Sequence, residues 1–193
     1  TLRTVADLKG KNIALNKGSN VHYLLVKALE KAGLQYGDVT VSFLPPADAR
    51  AAFEKGAVDA WAIWEPFLAA AEAATGARQL ADGTGVVNNH EFYLASRTLA
   101  DTHPEVVNVF LDAIGEIDSW VNANRDKVAE QFSPSLGIPV PVLQVAVERR
   151  TYGVQPITPE VVAKQQEIAD VFFNLGLIPK AIKIGDAVRA PQS

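Results

Sequence analysis

Three short stretches carry residue types suited to binding an anion without reacting with it. The first is Lys17-Gly18-Ser19-Asn20-Val21-His22, where an apolar run ending at Leu15 gives way to a helical pattern. The first N–H groups of a helix lack internal partners and lie at the positive end of its dipole. Gly18 allows close approach to the backbone, while Ser19 and Asn20 either cap the helix or donate to an oxyanion. A plain capped strand–turn–helix connection has the same residues. The second stretch is Pro45-Pro46-Ala47-Asp48, where two prolines fix a turn and leave another helix start exposed. The third, Trp64-Glu65-Pro66, delivers an aromatic ring and a carboxylate together.

Several of these residues have two readings. His22 falls in the first helical turn, off the Leu24/Leu25/Leu29 stripe, so it either reaches a ligand or lies on the surface. Asp48 reads as an N-cap before it reads as a ligand, since a carboxylate repels an anion. Glu65 faces a ligand or simply meets the dipole of the next helix. Trp61 and Trp64 are three apart, so a strand would send them to opposite faces. Trp64, nearer the strand end, is expected at the cleft and Trp61 in the core.

Catalytic signals are absent. His22, His90 and His103 show no metal-ligand spacing, and there is no GxSxG elbow, Walker loop or GxGxxG. With no cysteine there is no thiol nucleophile, disulfide or thiolate metal site. The expectation is a protein that is not an enzyme and carries no cofactor or metal.

The elements that must position these stretches alternate in the first half. Asn12–Leu15, Val39–Leu44 and Val58–Trp64 read as strands, with Leu80-Ala81 and Phe92–Ser96 as two further ones. Between them come a helix carrying Val21, Leu24, Leu25, Ala28, Leu29 and Ala32, a short helix through Phe53, and an alanine-rich helix from Pro66 to Ala74. Such alternation implies βα units on a mostly parallel sheet, which brings all the strand ends to one edge. Beyond Arg97 the pattern is helical: from Pro104 through Val121, at Arg125–Phe132, at Val140–Arg149 and at Pro159–Leu175. Arg150–Ile157 is expected to be a loop. The division is an α/β lobe over 1–97 and a helical segment over 98–193.

The 193 residues are 48% hydrophobic and 21% charged, which suffices for a globular core. A net charge of −4 gives no sign of a nucleic-acid partner. No apolar run approaches the ~20 residues that cross a bilayer, so no membrane insertion is expected. Thr1-Leu2-Arg3-Thr4 lacks the apolar region of a signal peptide, and methionine is absent throughout. The missing start methionine leads to the expectation of a processed or excised piece of something longer.

A family resemblance rests on specific stretches. Ala6-Asp7-Leu8-Lys9-Gly10-Lys11, Asn16 to Tyr23, Pro45 to Phe53, Gly56 to Pro66, Tyr152 to Pro156 and Leu175 to Pro179 resemble aliphatic sulfonate-binding proteins of bacterial ABC importers. The match covers essentially the whole chain. It implies a type II periplasmic-binding-protein-like α/β fold whose first lobe is largely missing. Thr1 would follow the first crossing strand, Phe92–Ser96 would lie near the return crossing, and the later helices would pack behind the hinge and against the first lobe. The ligand would be an organosulfonate, held around Gly18, Ser19 and Asn20, with Trp64 and Tyr93 on its organic part. The partner would be a membrane permease and the location periplasmic. The same resemblance leaves open a binder of taurine, nitrate or bicarbonate, or a pyrimidine-precursor binder or synthase. The synthase uses a cysteine-rich iron site, which this chain lacks. A regulator's effector lobe would need a DNA-binding module, and none is present.

Overall fold

The structure, a computed structural model, describes residues 2–189. It divides into two compact units: residues 1–89 with 170–181, and residues 90–169 with 182–193. The first unit closes at Asn89 and also takes in a late segment.

In the first unit, strand β1 (Asn12–Leu15) lies between β2 (Thr40–Phe43) and β3 (Ala60–Trp61), and both pairings are parallel. Ile13, Ala14 and Leu15 are all buried, as a central strand covered on both faces requires. Helix α1 (Asn20–Lys31) covers one face, packing Val21, Leu25 and Leu29 against Ile13, Leu15 and Leu8. Helix α2 (Pro46–Glu54) covers the other, where Ala49 meets Ala14 and Val58. Helix α3 (Phe67–Thr75) follows β3 and ends at Gly76 in the left-handed conformation, which glycine adopts without Cβ strain.

Four expectations meet a different structure. The strand expected over Val58–Trp64 is two residues long. Its backbone pairing runs only from the Asp59 N–H on the Asn12 carbonyl to the Ala62 N–H on the Ala14 carbonyl. Leu80-Ala81 and Phe92–Ser96 form no strand among the described residues. Leu94 is 93% exposed, so a β-rich run without a neighbouring strand stays unpaired. Asp48 is not the N-cap of α2; the helix starts at Pro46 and places Asp48 inside its first turn.

The second unit is helical. It contains α4 (Arg97–Thr102), which the sequence pattern did not suggest, then α5 (Pro104–Ala123), α6 (Arg125–Leu136) and α7 (Val140–Arg149). Helix α8 (Pro159–Asn174) has its first eleven residues, 159–169, in this unit and its last five, 170–174, in the first. Helix α6 runs past Phe132 through Pro134 and stops at Gly137. Val128 and Ala129 of α6 and Leu143, Ala146 and Val147 of α7 are buried. Arg125 closes the end of α7 by donating from Nη1 to the carbonyls of Val147 (3.0 Å) and Arg150 (3.1 Å), with its guanidinium over the Tyr152 ring. Along α5, Val106, Val109, Phe110, Ile117 and Trp120 are exposed, and only Val121 is buried. No helix among the described residues is long and apolar enough to cross a membrane.

Leu29 has no exposed surface and packs where α1 meets the sheet. Leu29→Ala is expected to destabilise the first unit by about 2–5 kcal/mol, from lost burial and the cavity left behind. Urea unfolding followed by circular dichroism measures this. A loss well under that range would mean that α1 settles onto the sheet without Leu29.

Candidate functional site at the sheet edge

Because both pairings of β1 are parallel, the carboxyl ends of all three strands open on one edge. The β1 loop is central, with the β2 and β3 loops flanking it. This is the position where open α/β sheets bind ligands.

In the central loop, Gly18 has φ +73°, and a Cβ there would meet nothing within 4 Å. Glycine is therefore needed for backbone handedness rather than for space. The Gly18 N–H does not face solvent; it donates to His22 Nδ1 at 3.1 Å. Ser19 occupies the N-cap position with extended backbone, but its hydroxyl donates back to the Asn16 carbonyl at 2.7 Å. Asn20 Oδ1 accepts the Val21 N–H, and Asn20 Nδ2 donates to Asn89 Oδ1, both at 2.9 Å. The Asn20 N–H, first of α1, has no acceptor among the described residues. It is an open backbone donor at the start of the helix.

His22 is fully buried. It lies beneath the loop rather than at its mouth or on the surface, because both ring nitrogens have protein partners. Nδ1 accepts from Gly18, and Nε2 meets the Tyr36 hydroxyl at 2.6 Å. The rings of Tyr36, Phe43 and Phe172 surround it, with centroids 5.4–5.5 Å away.

At the second loop, Pro46 begins α2 and has no N–H to leave unpaired. The N–H groups of Ala47 and Asp48 have no acceptor among the described residues. The Asp48 carboxylate shares the same first turn. At the third loop, Trp64 is half-buried against the α1 side of the sheet, with Phe67 edge-on at 6.4 Å. Trp61 packs on the opposite side with Phe53, as the odd spacing requires, and its Nε1 is buried without a hydrogen-bond partner. Glu65 Oε2 accepts the Ala69 N–H at 3.0 Å, which is the helix-start role. The Glu65–Pro66 peptide is cis. Tyr93 belongs to the second unit, where it is exposed and its ring meets Phe110 edge-on.

Three contributors escaped the sequence reading. The Lys17 ammonium stands 5.5 Å above the Phe43 ring and supplies a cation at the central loop. Its position directly before Gly18 was the available signal. Tyr36 and Phe43 gave none, because only the fold brings them to His22. Among the described residues no group of three His, Cys, Asp or Glu side chains could hold a metal ion. The edge offers hydrogen-bond donors, a cation and aromatic surface, a set suited to holding an anion with an organic tail.

Comparison with known proteins identifies the family. Residues 2–133 match the model of the NMT1-like family. The chain belongs to that family. This NMT1-like chain is 39% identical over 191 residues to a protein of Escherichia coli strain K12 named for binding aliphatic sulfonates, covering 98% of this chain and 60% of the relative. It thus spans less than two thirds of that relative's length. Among solved structures, the periplasmic aliphatic sulphonate binding protein SsuA of Escherichia coli superposes with a TM-score of 0.92 at 39% identity, covering 99% of this chain and 62% of that one. The alkanesulfonate-binding protein SsuA of Xanthomonas axonopodis pv. citri, bound to MOPS, gives 0.91 at 39% identity, covering 98% and 66%. The α/β fold with its parallel sheet is therefore that of periplasmic binding proteins.

The site of this NMT1-like chain carries a pH signature. Burial, and then the Lys17 charge, holds the His22 ring below its ordinary 6.5. The folded state keeps the ring neutral, whereas the unfolded chain takes up a proton as pH falls through about 6.5. His22 therefore contributes stability that is complete above that value and declines as pH falls toward the depressed folded value. Asp7, Asp38 and Asp82 lie below 3.8, chiefly through backbone N–H donors from Arg3, Gln35 and Thr84. Their contribution is present above 3.8 and is lost in a separate, more acid window. Urea midpoints across pH are expected to show both declines, and His22→Phe is expected to remove the upper one. An unchanged upper decline in that variant would place the titrating group elsewhere.

Proposed function

We propose that this chain forms the ligand-gripping part of an extracytoplasmic solute-binding protein for aliphatic sulfonates, working in the periplasm with the permease of an ABC importer. The observation that carries this reading is the 39% identity, over 98% of the chain, to a relative named for binding aliphatic sulfonates. The geometry supports it independently. A sulfonate is a fixed anion with three acceptor oxygens, and the edge sets the unpaired N–H groups of Asn20, Ala47 and Asp48 at two helix starts. Lys17 adds charge, and Trp64 offers apolar surface to the organic end.

Capture on this reading makes and breaks no covalent bond. Gly18 and Ser19 shape the turn, Asn20 donates from its backbone, and His22 sits behind them. Pro46, Ala47 and Asp48 bring the second helix start to the edge, and Glu65 braces α3 behind Trp64. Charge-assisted hydrogen bonds to the oxygens supply the affinity, and the count and geometry of donors separate a sulfonate from a planar carboxylate.

Intrinsic fluorescence of Trp61 and Trp64 is expected to change saturably as ethanesulfonate is added and to stay flat with acetate. A response to nitrate alone would overturn the sulfonate reading. Asn20→Pro removes the open N–H at a helix position that accepts proline. Losing one charge-assisted bond of about 1.5–3 kcal/mol weakens binding roughly 10- to 150-fold. Asn20→Ala keeps the N–H and is expected to lose less. Equal affinities in the two variants would remove the Asn20 backbone from the grip.

A further inference from the structure

We propose that His22 is a positioning residue, whose neutral ring clamps the Gly18 amide and thereby sets the turn that presents the Asn20 N–H, and whose protonation opens that turn. The inference rests on the binding reading above for its functional consequence, but its structural content stands apart from it.

Proton count fixes the tautomer. A neutral imidazole has one N–H and one lone pair. The Gly18 N–H points at Nδ1, so Nδ1 must be the acceptor and the ring proton must sit on Nε2, which then donates to the Tyr36 oxygen. An imidazolium has protons on both nitrogens and would set Nδ1–H against the Gly18 N–H, donor against donor. One of them must turn away. His22 is fully buried, and the aromatic walls leave its ring little room. Gly18, at φ +73° with open space where a Cβ would be, is the freer partner.

The groups around the ring favour the neutral state. The turn at residues 36–38 contributes the Tyr36 hydroxyl, and the carboxylate of Asp38 on that turn is held by the Gln35 N–H and Lys9. Strand β2 contributes Phe43, and the segment at 170–181 contributes Phe172. The loop contributes the Lys17 ammonium over Phe43. The surrounding contacts thus supply aromatic rings and a cation. Burial and that cation both oppose a second proton.

The consequence runs against simple electrostatics. If His22 touched the anion, an added positive charge would tighten binding in acid. As a clamp, the same charge frees Gly18, shifts Ser19 and Asn20 and weakens binding.

The test uses the whole chain, labelled with nitrogen-15, with ethanesulfonate as probe. Ring nitrogen shifts are expected to report the Nε2–H tautomer at neutral pH. The Gly18 amide is expected to titrate with the same midpoint as the ring, and ethanesulfonate affinity to fall by about tenfold or more once the ring is charged. His22→Asn places an amide oxygen near the Nδ1 position; it is expected to keep Gly18 protected from exchange and to abolish the pH dependence. His22→Phe is expected to lose Gly18 protection while circular dichroism shows a folded chain. Should that variant fail to fold, the wild-type titration and His22→Asn still decide. Tighter ethanesulfonate binding in acid, or a Gly18 amide indifferent to the ring's charge, overturns the proposal. A Gly18 amide that titrates in a chain that binds no ethanesulfonate at any pH supports the clamp and sinks the sulfonate reading instead.

Discussion

Everything at the candidate site depends on the double parallel pairing of β1. Four residues, Asn12 to Leu15, hold β2 on one side and β3 on the other, in one direction. That arrangement sends three loops to one edge and forces α1 and α2 onto opposite faces, because each crossover returns to the start of the next strand. Two helix starts then flank the end of the same short strand. An antiparallel partner on either side would have moved one loop to the far end of the sheet and divided the donor set. The burial of Ile13, Ala14 and Leu15 is the energetic root of the arrangement, since exposing that strand would uncover apolar surface on both of its faces.

The site shows a division of labour between groups that point out and groups that point in. Asn20, Ala47 and Asp48 keep backbone donors open at the edge, while the Gly18 N–H, Ser19 Oγ and Glu65 carboxylate are spent on holding the loops. Rigidity of this kind matters for a binder that recognises its ligand by oxygen geometry, since each donor must already be aimed when the ligand arrives. The aromatic enclosure of His22 extends the same logic one layer down. The loop is braced from beneath by a ring whose own partners come from three separate segments of the unit.

Much of this was readable from residue order. The stripe on α1, the bounds of α7, the stop at Gly76 and the opposition of Trp61 and Trp64 all follow from local periodicity and punctuation. The resemblance added the family, which the matched model shows. What escaped was non-local. Phe92–Ser96 has the composition of a strand, yet a strand exists only where another backbone lies alongside it. Asp48 looked like a cap because sequence alone does not reveal that the helix starts two residues earlier, at Pro46. His22 was read as a surface or ligand-facing residue because its enclosure depends on Tyr36, Phe43 and Phe172, distant positions gathered only by the fold. Gly18 was read for close approach to its backbone, and the fold adds a left-handed conformation that turns its amide toward His22.

The apolar line along α5 bears on how this chain behaves as a material. Val106, Val109, Phe110, Ile117 and Trp120 repeat at helical spacing with water on them. Hydrophobic attraction weakens on cooling, so molecules bearing such a stripe disperse best in the cold and crowd together as they warm. A net charge of −4 resists that crowding only until salt screens it. Temperature and ionic strength therefore both act on this chain through that stripe.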